Sequence, residues 1–400
     1  MLQENNLLKD RIEFDDSIFL STGINPYYSI ICSGQSDPLI VNGKEMINLA
    51  TNNYLGLAND ERIKEVYINA IKKYGISMCA TPIAGGYTEL FQKIRNKLSA
   101  FIGVEDILIY PSCYQANNGI FQAIARKDDL ILFDRYAHSS LIQGLRCVGC
   151  KSLPFSHNDT NALEYLLKKY SAYEKSFVVT ESVFSTEGAI APFAEIYKLC
   201  KKYNAVPVVD DSHGIGVIGK HGNGILSYSG IENYEGIYTS SLGKALANNC
   251  GVVGGSKELI NYLSYFCSHL VYSTAVSPAV LAGIDKTLDI IEEEYDYRSS
   301  KLFYYFNEIK NSLISNGFLT ADSTAPINSI ISGTSENTFI LTKKIFQKEI
   351  LTTPFVYPSV RKNEGRIRLI AGANLKEESI EKVHKVFNQI QEEEYENAVN

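Results

Sequence analysis

The chain has 400 residues, of which 45% are hydrophobic and 21% are charged, and its formal net charge is −7. This composition is ordinary for a folded protein, and the acidic balance provides no basic surface for nucleic acid. The sequence shows no cationic leader followed by an apolar core and no run of about 18 apolar residues. We therefore expect a cytoplasmic protein with no secretory signal, no membrane anchor and no nucleic-acid partner.

The first element predicted along the chain is a β-hairpin. Residues 39–41 and 44–47 flank Asn42-Gly43, the residue pair favoured in a two-residue hairpin turn. We assign residues 1–58 to an N-terminal segment that contains this hairpin.

Helical and strand patterns alternate after this segment. Apolar residues recur at helical spacing in 63–71, 90–101, 159–169 and 193–203. Short apolar runs typical of buried strands occupy residues 107–109, 130–133, 177–179, 206–209 and 236–239. Strands buried on both faces and separated by helices predict an α/β fold with a mostly parallel sheet, which we assign to a large domain of residues 59–285.

The remainder of the chain is more charged, beginning with Glu292, Glu293 and Glu294. We predict that residues 286–400 form a smaller C-terminal α+β domain, with an amphipathic terminal helix over 376–391. The eight cysteines include one isolated Cys-x-x-Cys pair, Cys147 and Cys150, without histidines at zinc-ligand spacing. We predict free thiols and no metal site.

Polar residues follow several of the predicted strands. Ser112, Asp134, Glu181 and Asp210 each come just after an apolar run. Because ligands of parallel sheets bind at the carboxyl ends of the strands, these residues mark the predicted site. Ser112 also has the residue type and position of a helix N-cap.

Lys244 is the strongest candidate for chemistry. It lies in a turn of small residues, three positions after Ser241, and downstream of Asp210 and His213. A lysine amine can bond to the aldehyde of pyridoxal phosphate (PLP), hydroxyls can donate to its phosphate, and a carboxylate keeps its ring nitrogen protonated. The combination predicts a PLP site.

Eight motifs in order carry a resemblance that covers nearly the whole chain. They are Asn52–Leu57, Asp134–Ser140, Phe155–Asp159, Thr180–Ser185, the Asp210 segment, the Lys244 segment, Tyr272–Thr274 and Arg366–Arg368. On these motifs the chain resembles the α-oxoamine synthase family of fold-type I PLP-dependent enzymes. The resemblance implies a fold-type I transferase with a mostly parallel sheet in its large domain.

The resemblance also implies roles for individual residues at the cofactor. His138 is expected to stack on the cofactor ring, Asp210 to pair with the ring nitrogen and His213 to bond the phenolic oxygen. The backbone N–H groups of Cys113 and Tyr114, together with the Ser241 hydroxyl, are expected at the phosphate. Ser185 is expected beside the cofactor, and Thr274 is expected to reach the site of a neighbouring subunit, which implies a homodimer with shared active sites.

For the substrates, the resemblance implies that Asn52 and Arg368 hold the carboxylate of an amino acid. The expected reaction joins this amino acid to an acyl thioester of coenzyme A or acyl-carrier protein, with Lys244 as the base. Loss of CO2 then gives an α-amino ketone. The alternatives are a 2-amino-3-ketobutyrate CoA ligase type of activity (glycine C-acetyltransferase), or another fold-type I enzyme such as an aminotransferase or decarboxylase.

Three positions depart from the family pattern. Phe91 replaces a histidine, the loop 78–83 around Pro82 lacks the usual glycines and Ser-Arg, and Asn374 replaces a histidine. We expect all three near the acyl and carboxylate ends of the pocket, where they bear on the choice of substrate.

Two further functions compete with a PLP synthase. Residues 214–219 match G-x-G-x-x-G, but loop residues follow where a dinucleotide fingerprint requires a helix. A degenerate partner subunit of a heteromeric synthase would lack the lysine, whereas this chain has Lys244, Asp210 and His138.

Overall fold

The computed structural model describes the backbone of residues 25–399 and the side chains of residues 25–393. The first 24 positions of the predicted N-terminal segment, which include the region examined for a secretory signal, lie outside the described residues. Across the described range, every helix is too short or too polar to cross a bilayer.

Thirteen strands and twelve α-helices form the described part of the chain. The strands are β1 Leu39–Val41, β2 Lys44–Asn48, β3 Asp106–Tyr110, β4 Leu130–Asp134, β5 Lys151–Phe155, β6 Ser176–Glu181, β7 Val206–Asp210, β8 Ile237–Ser241, β9 Gly251–Gly255, β10 Ile327–Gly333, β11 Ile350–Leu351, β12 Thr353–Phe355 and β13 Gly365–Ile370. The helices are α1 Glu61–Tyr74, α2 Glu89–Ile102, α3 Cys113–Ile124, α4 Ser139–Arg146, α5 Thr160–Lys169, α6 Phe193–Lys202, α7 Ile225–Tyr228, α8 Lys257–Phe266, α9 Ser268–Val271, α10 Pro278–Ser315, α11 Ser335–Gln347 and α12 Glu377–Val399.

The central sheet has seven strands in the order β3-β9-β8-β7-β6-β4-β5. Strand β9 is antiparallel to both of its neighbours, and the other pairs within the sheet are parallel. The predicted α/β fold with a mostly parallel sheet is therefore confirmed. All strands except β9 place their carboxyl ends at the same edge.

Helices cover both faces of this sheet because alternate strand residues point to opposite sides. In β3, Ile107 and Ile109 belong to the apolar core shared with α2, α5, α6 and α10. Leu108 and Tyr110 belong to the core shared with α3, α4 and α8. The five apolar runs predicted as strands and the four predicted helices in this region are all present.

Two strands of the central sheet escaped prediction, and each has a physical reason. Strand β5 lies at the sheet edge and begins with Lys151 and Ser152, and only Phe155 of its side chains is buried, so it shows no apolar run. Strand β9 contains three glycines, a residue type depleted in strands, and pairing with β3 and β8 overrides that preference.

Smaller elements surround the central sheet. The predicted hairpin is confirmed as β1 and β2, with Asn42 and Gly43 at φ angles of 50° and 79°. Strands β10, β13 and β12 form a second sheet beside the terminal helix α12. Helix α10 runs through residue 285, and its core is continuous with that of β10 and β13. The predicted boundaries between the three segments stay predictions.

Candidate active site

A cavity of about 600 Å³ opens at the carboxyl ends of the parallel strands. Six of the predicted site residues line it: Asn52, His138, Ser185, His213, Lys244 and Arg368. Residues of β13 and of the segment Tyr357–Arg361 form the facing wall. Asp210, Cys113, Tyr114, Ser241 and Thr274 are not among the lining residues. Six separate segments of the sequence thus meet at one cavity.

Lys244 lies in the turn after β8, where Ala247 donates a backbone hydrogen bond to its carbonyl oxygen at 2.9 Å. Its side chain is half-buried. Burial lowers the pKa of Lys244 by more than the nearby Asp210, Cys113 and Glu181 raise it. The amine therefore gives up its proton more readily than the amine of a surface lysine.

Asp210 ends β7 and is only 4% exposed. Its Oδ2 atom accepts a hydrogen bond of 2.6 Å from Asn117, and its Oδ1 atom accepts one of 3.0 Å from the backbone N–H of Ser212. Hydrogen bonds of this kind stabilise a carboxylate away from water. The group is suited to pair with a protonated ring nitrogen.

Two further buried acids lie beside Asp210, and sequence reasoning gave them no role. Glu181 stands directly opposite Asp210 in the register of β6 and β7, and burial together with Asp210 holds the pKa of Glu181 well above its usual range. Burial also raises the pKa of Asp211 to about 7, against the effect of its hydrogen bonds. Burial therefore favours the neutral form of Glu181, and Asp211 is protonated more readily than an exposed aspartate. The sequence analysis placed Glu181 at this end of the sheet, and the strand register makes it the direct neighbour of Asp210.

His213 forms a buried hydrogen bond of 2.8 Å between its Nδ1 atom and the hydroxyl of Tyr54. Burial lowers the pKa of His213 well below its usual value, and the charge of Lys244 lowers it further. Burial raises the pKa of Tyr54, so the phenol stays protonated. Among the described residues the protonated phenol has no other hydrogen-bond acceptor, so it donates to Nδ1, which leaves the proton of the neutral ring on Nε2.

His138 precedes α4 as its N-cap, with Nδ1 accepting from the backbone N–H of Ser140. The Ser140 hydroxyl lies 2.8 Å from the same nitrogen and accepts from Asn117 at 2.9 Å. Desolvation lowers the pKa of His138 despite the opposing charge of Asp210. The ring is therefore neutral, and Asn117 connects it to Asp210. The sequence gave no sign of this link, because Asn117 lies in the middle of a helix.

The start of α3 forms one end of the site. Ser112 caps this helix by accepting from the N–H of Gln115, as predicted. The Ser212 hydroxyl donates to Cys113 Sγ at 3.6 Å and accepts from the backbone N–H of Ser241 at 2.8 Å. A Cβ atom at Gly251 would lie 2.3 Å from the backbone nitrogen of Cys113, so β9 can approach this turn only with glycine there. A helix N-terminus beside a serine hydroxyl suits a phosphate group.

Arg368 forms the other end of the site and is 8% exposed. One guanidinium nitrogen, Nη1, donates to the carbonyl of Ser185 at 3.2 Å, and the group lies 4.9 Å from the ring centre of Phe355. The Nε atom of Arg368 and the Oδ1 atom of Asn52 are both buried without a hydrogen-bond partner among the described residues. The Nε–H group of Arg368 is available to donate to a ligand carboxylate, and Oδ1 of Asn52 is available to accept from a ligand donor.

The positions that depart from the family pattern lie elsewhere in the single chain. Phe91 stacks on Tyr87 at 5.5 Å, and both line a separate apolar cavity of about 220 Å³ with Pro82. Asn374 packs against Gly56. A Cβ atom added at Gly56 would lie 2.8 Å from the Cβ atom of Asn374. None of the three lines the Lys244 cavity of the single described chain, and their expected place near the acyl and carboxylate ends of the pocket stays a prediction.

The structure also shows the conformation of residues 214–219 and the state of the Cys-x-x-Cys pair. Residues 214–219 form turns, and the next helix, α7, begins only at Ile225. The helix that a dinucleotide fingerprint needs at its last glycine is therefore missing from this described segment. Cys147 and Cys150 are free thiols in the structure.

The sequence profile described as aminotransferase class I and II matches residues 44–387. An 8-amino-7-oxononanoate synthase of Thermoanaerobacter pseudethanolicus is 34% identical over 92% of this chain and 93% of its own. A serine palmitoyltransferase of Sphingobacterium spiritivorum is 31% identical over the same shares, 92% and 93%.

Solved structures show the same fold. A serine palmitoyltransferase from S. paucimobilis with a PLP adduct superposes with a TM-score of 0.89 at 20% identity, covering 93% of this chain and 94% of its own. An 8-amino-7-oxononanoate synthase from Francisella tularensis superposes with a TM-score of 0.75 at 26% identity, covering 88% of this chain and 99% of its own.

Proposed function

Because the chain belongs to the aminotransferase class I and II family, and within it to the PLP-dependent α-oxoamine synthases, we propose that it condenses an amino acid with an acyl thioester. One observation carries the proposal. Lys244 and Arg368 line the same cavity, and Arg368 has no carboxylate partner among the described residues.

The residues present fit PLP at each of its polar groups. Lys244 is placed for the covalent link to the aldehyde, Asp210 for the ring nitrogen and His213 Nε2 for the phenolic oxygen. His138 supplies a flat ring for the cofactor face. The first turn of α3, with Cys113 and Tyr114, and the Ser241 hydroxyl are placed for the phosphate, with Ser185 nearby. When bound, PLP withdraws electrons from the substrate carbon that loses a proton or a carboxyl group.

The protein side chains supply binding and proton transfer. Arg368 and Asn52 hold the carboxylate of the amino acid, since a guanidinium fork matches a planar carboxylate. Lys244, with its lowered pKa, takes the proton from the substrate Cα. The Cα–C bond forms at the thioester carbonyl carbon and the thiol leaves. The Cα–carboxyl bond then breaks, CO2 departs and Cα regains a proton, which gives an α-amino ketone.

The proposal includes a homodimer in which Thr274 serves the site of the partner copy. Thr274 is exposed and does not line the Lys244 cavity of its own chain. Large exposed apolar side chains lie close to it in sequence: Tyr265, Phe266 and Tyr272. Exposed apolar side chains of this kind support burial against a second copy. The acyl carrier, coenzyme A or acyl-carrier protein, and the cytoplasmic location stay predictions.

The test is a two-stage assay of the purified protein. PLP loading is first followed by visible absorbance, with Lys244→Ala as the variant that loses the protein-linked band. Glycine, alanine, serine, threonine and aminobutyrate are then each offered with acyl-coenzyme A and acyl-carrier protein of several chain lengths. Free thiol, CO2 and product mass are measured together. Thiol release with CO2 supports the synthase.

Each negative result has its own meaning. Thiol release without CO2 would support the 2-amino-3-ketobutyrate ligase type instead. An aminotransferase or decarboxylase would convert the amino acid without any thioester. A wild-type protein that gains no band with added PLP would contradict the use of the cofactor.

A further inference from the structure

His157 lies between two buried carboxylates. The His157 side chain itself does not line the Lys244 cavity. Its Nδ1 atom is 3.0 Å from Oδ1 of Asp134, and its Nε2 atom is 2.9 Å from Oε1 of Glu187. Both acids are buried. The contact with Asp134 is a hydrogen bond, whereas the contact with Glu187 is an ion pair by distance, because Glu187 Oε1 has no hydrogen-bond partner among the described residues. Only an imidazolium carries a proton on each ring nitrogen and a positive charge, so only the charged ring pairs with both acids.

The row of charges continues into the facing wall of the cavity. The Oε2 atom of Glu187 accepts a hydrogen bond of 2.7 Å from Nη1 of Arg366 in β13. Asp134, His157, Glu187 and Arg366 therefore form a chain of alternating charge, which we call the His157 chain. It runs from the end of β4 to the second sheet.

Each end of the His157 chain lies within a few residues, along the sequence, of a residue proposed to bind the cofactor or the substrate. Asp134 Oδ1 accepts from the backbone N–H of Tyr136 at 2.8 Å, and the Tyr136 ring stacks on His157 with centres 4.7 Å apart. Tyr136 is two residues before His138. At the other end, Arg366 is two residues before Arg368, and strand residues at this spacing point to the same face.

The loop that carries Glu187 is itself fixed to the C-terminal part of the chain. The carbonyl of Gly188 accepts from the backbone N–H groups of Thr324 and Ala325 at 3.2 and 3.0 Å. A Cβ atom at Gly188 would lie 2.2 Å from the hydroxyl of Ser323. Because this loop cannot shift independently, a change at His157 is transmitted to β13 instead of being absorbed locally.

We propose that His157 is a positioning residue, whose imidazolium fixes the spacing between the His138 turn and the strand that carries Arg368. That spacing sets how the amino-acid carboxylate lies relative to the cofactor ring. The inference rests on the proposed function, because it assumes that Arg368 receives a carboxylate. His157 touches neither substrate nor cofactor, so its loss affects amino-acid alignment and leaves PLP binding intact.

The experiment compares His157→Gln with the wild type as PLP-loaded dimers. The single amide nitrogen of glutamine carries no charge and cannot occupy the positions of both ring nitrogens, so one link of the chain is lost. An amino acid and the corresponding amine without a carboxyl group are titrated against each protein, with the spectral change of bound PLP as the signal. We expect the Kd of the amino acid to rise about tenfold, as for one lost charge-assisted hydrogen bond, with the Kd values of the amine and of PLP unchanged.

Two further variants make the result specific. Arg366→Gln breaks the His157 chain at its cavity end and should reproduce the selective loss, even where His157→Gln folds poorly. His384→Gln is the matched control, since His384 pairs with Glu308 at 3.4 Å between α12 and α10. The control should bind both ligands as the wild type does.

The outcomes separate this inference from the proposed function. The positioning role is overturned if the Kd values of the amino acid and of the amine rise by the same factor. It is also overturned if His157→Gln and Arg366→Gln both keep the wild-type preference for the amino acid over the amine. A wild-type protein that binds PLP but does not prefer the amino acid over the amine contradicts the proposed function, and the inference fails with it.

Discussion

Asn117 donates a hydrogen bond of 2.6 Å from its side-chain amide to Oδ2 of Asp210, and the same nitrogen donates to Ser140 at 2.9 Å. Since Ser140 in turn contacts His138, one buried amide connects the two groups placed at the ring nitrogen and the ring face of the cofactor. Both amide protons are used, so the orientation of Asp210 depends on the position of α3.

We expect Asn117→Leu to weaken PLP binding by about 10-fold to 100-fold, because a buried hydrogen bond to a charged group contributes about 1.5–3 kcal/mol. Leucine has nearly the same size but offers no donor to Asp210. The Kd of PLP is measured by absorbance titration of the unloaded protein. Gln122→Leu on the exposed side of α3 is the control, and equal affinity in both variants would contradict the link.

A second prediction concerns the shape of the carboxylate site. Arg368→Lys keeps the positive charge but loses the planar pair of donors, so the KM for the amino acid should rise by about 10-fold or more. The KM for the acyl thioester should change little, because that substrate carries no α-carboxylate. Steady-state kinetics with each substrate varied in turn measures both values. Arg146→Lys on the exposed end of α4 is the control.

A third prediction tests whether active sites are shared between subunits. Lys244→Ala and Thr274→Asp are each expected to be inactive as homodimers, the second because a carboxylate repels the phosphate. In a mixed dimer with Thr274 serving the partner, one site has both wild-type residues, and activity returns to about half per dimer. Subunits are mixed by mild denaturation and refolding, and mixed dimers are isolated with two affinity tags. No recovery would contradict sharing.

The strands and helices that position the site could be predicted because their apolar patterns are local. Residues 206–209 are an unbroken apolar run and Asp210 follows at once, so both the strand and the polar residue at its end were visible. The partners of Asp210 were not. Glu181 becomes its neighbour through strand register, and Asn117 reaches it from 93 residues away. Such contacts depend on tertiary packing, which no local spacing encodes.

The His157 chain shows the same limit. Residues Phe155–Asp159 could be recognised as a motif, but the partners of His157 come from β4 and from the loop after β6. Pairing with acids on both sides is visible only after the strands are placed in the sheet. The stacking of Phe91 on Tyr87 could not be predicted for a related reason, since the helix of Phe91 was predicted but the surface it packs against was not.

The last prediction concerns pH and the stability of the unloaded protein. Burial disfavours the charged His157 ring, but the bonds with Asp134 and Glu187 outweigh this effect and raise its pKa to about 9. The unfolded chain binds that proton more weakly, with a histidine pKa of about 6.5. The stabilisation is therefore complete below about pH 6.5 and is lost as the pH rises through about 9, where the neutral ring has no charge to pair with the two carboxylates and only one ring proton.

We expect the difference in urea midpoint between wild type and His157→Gln to be largest near pH 6 and to shrink by about pH 10. Besides Asp134 and Glu187, the charged or titratable groups next to the ring are Arg366 and Tyr136, and neither is altered in this comparison. His384→Gln should differ from the wild type by the same small amount at every pH. A wild-type advantage over His157→Gln that does not change between pH 6 and pH 10 would show that the ring stabilises the fold through packing against Tyr136 and Phe184 and not through its charge.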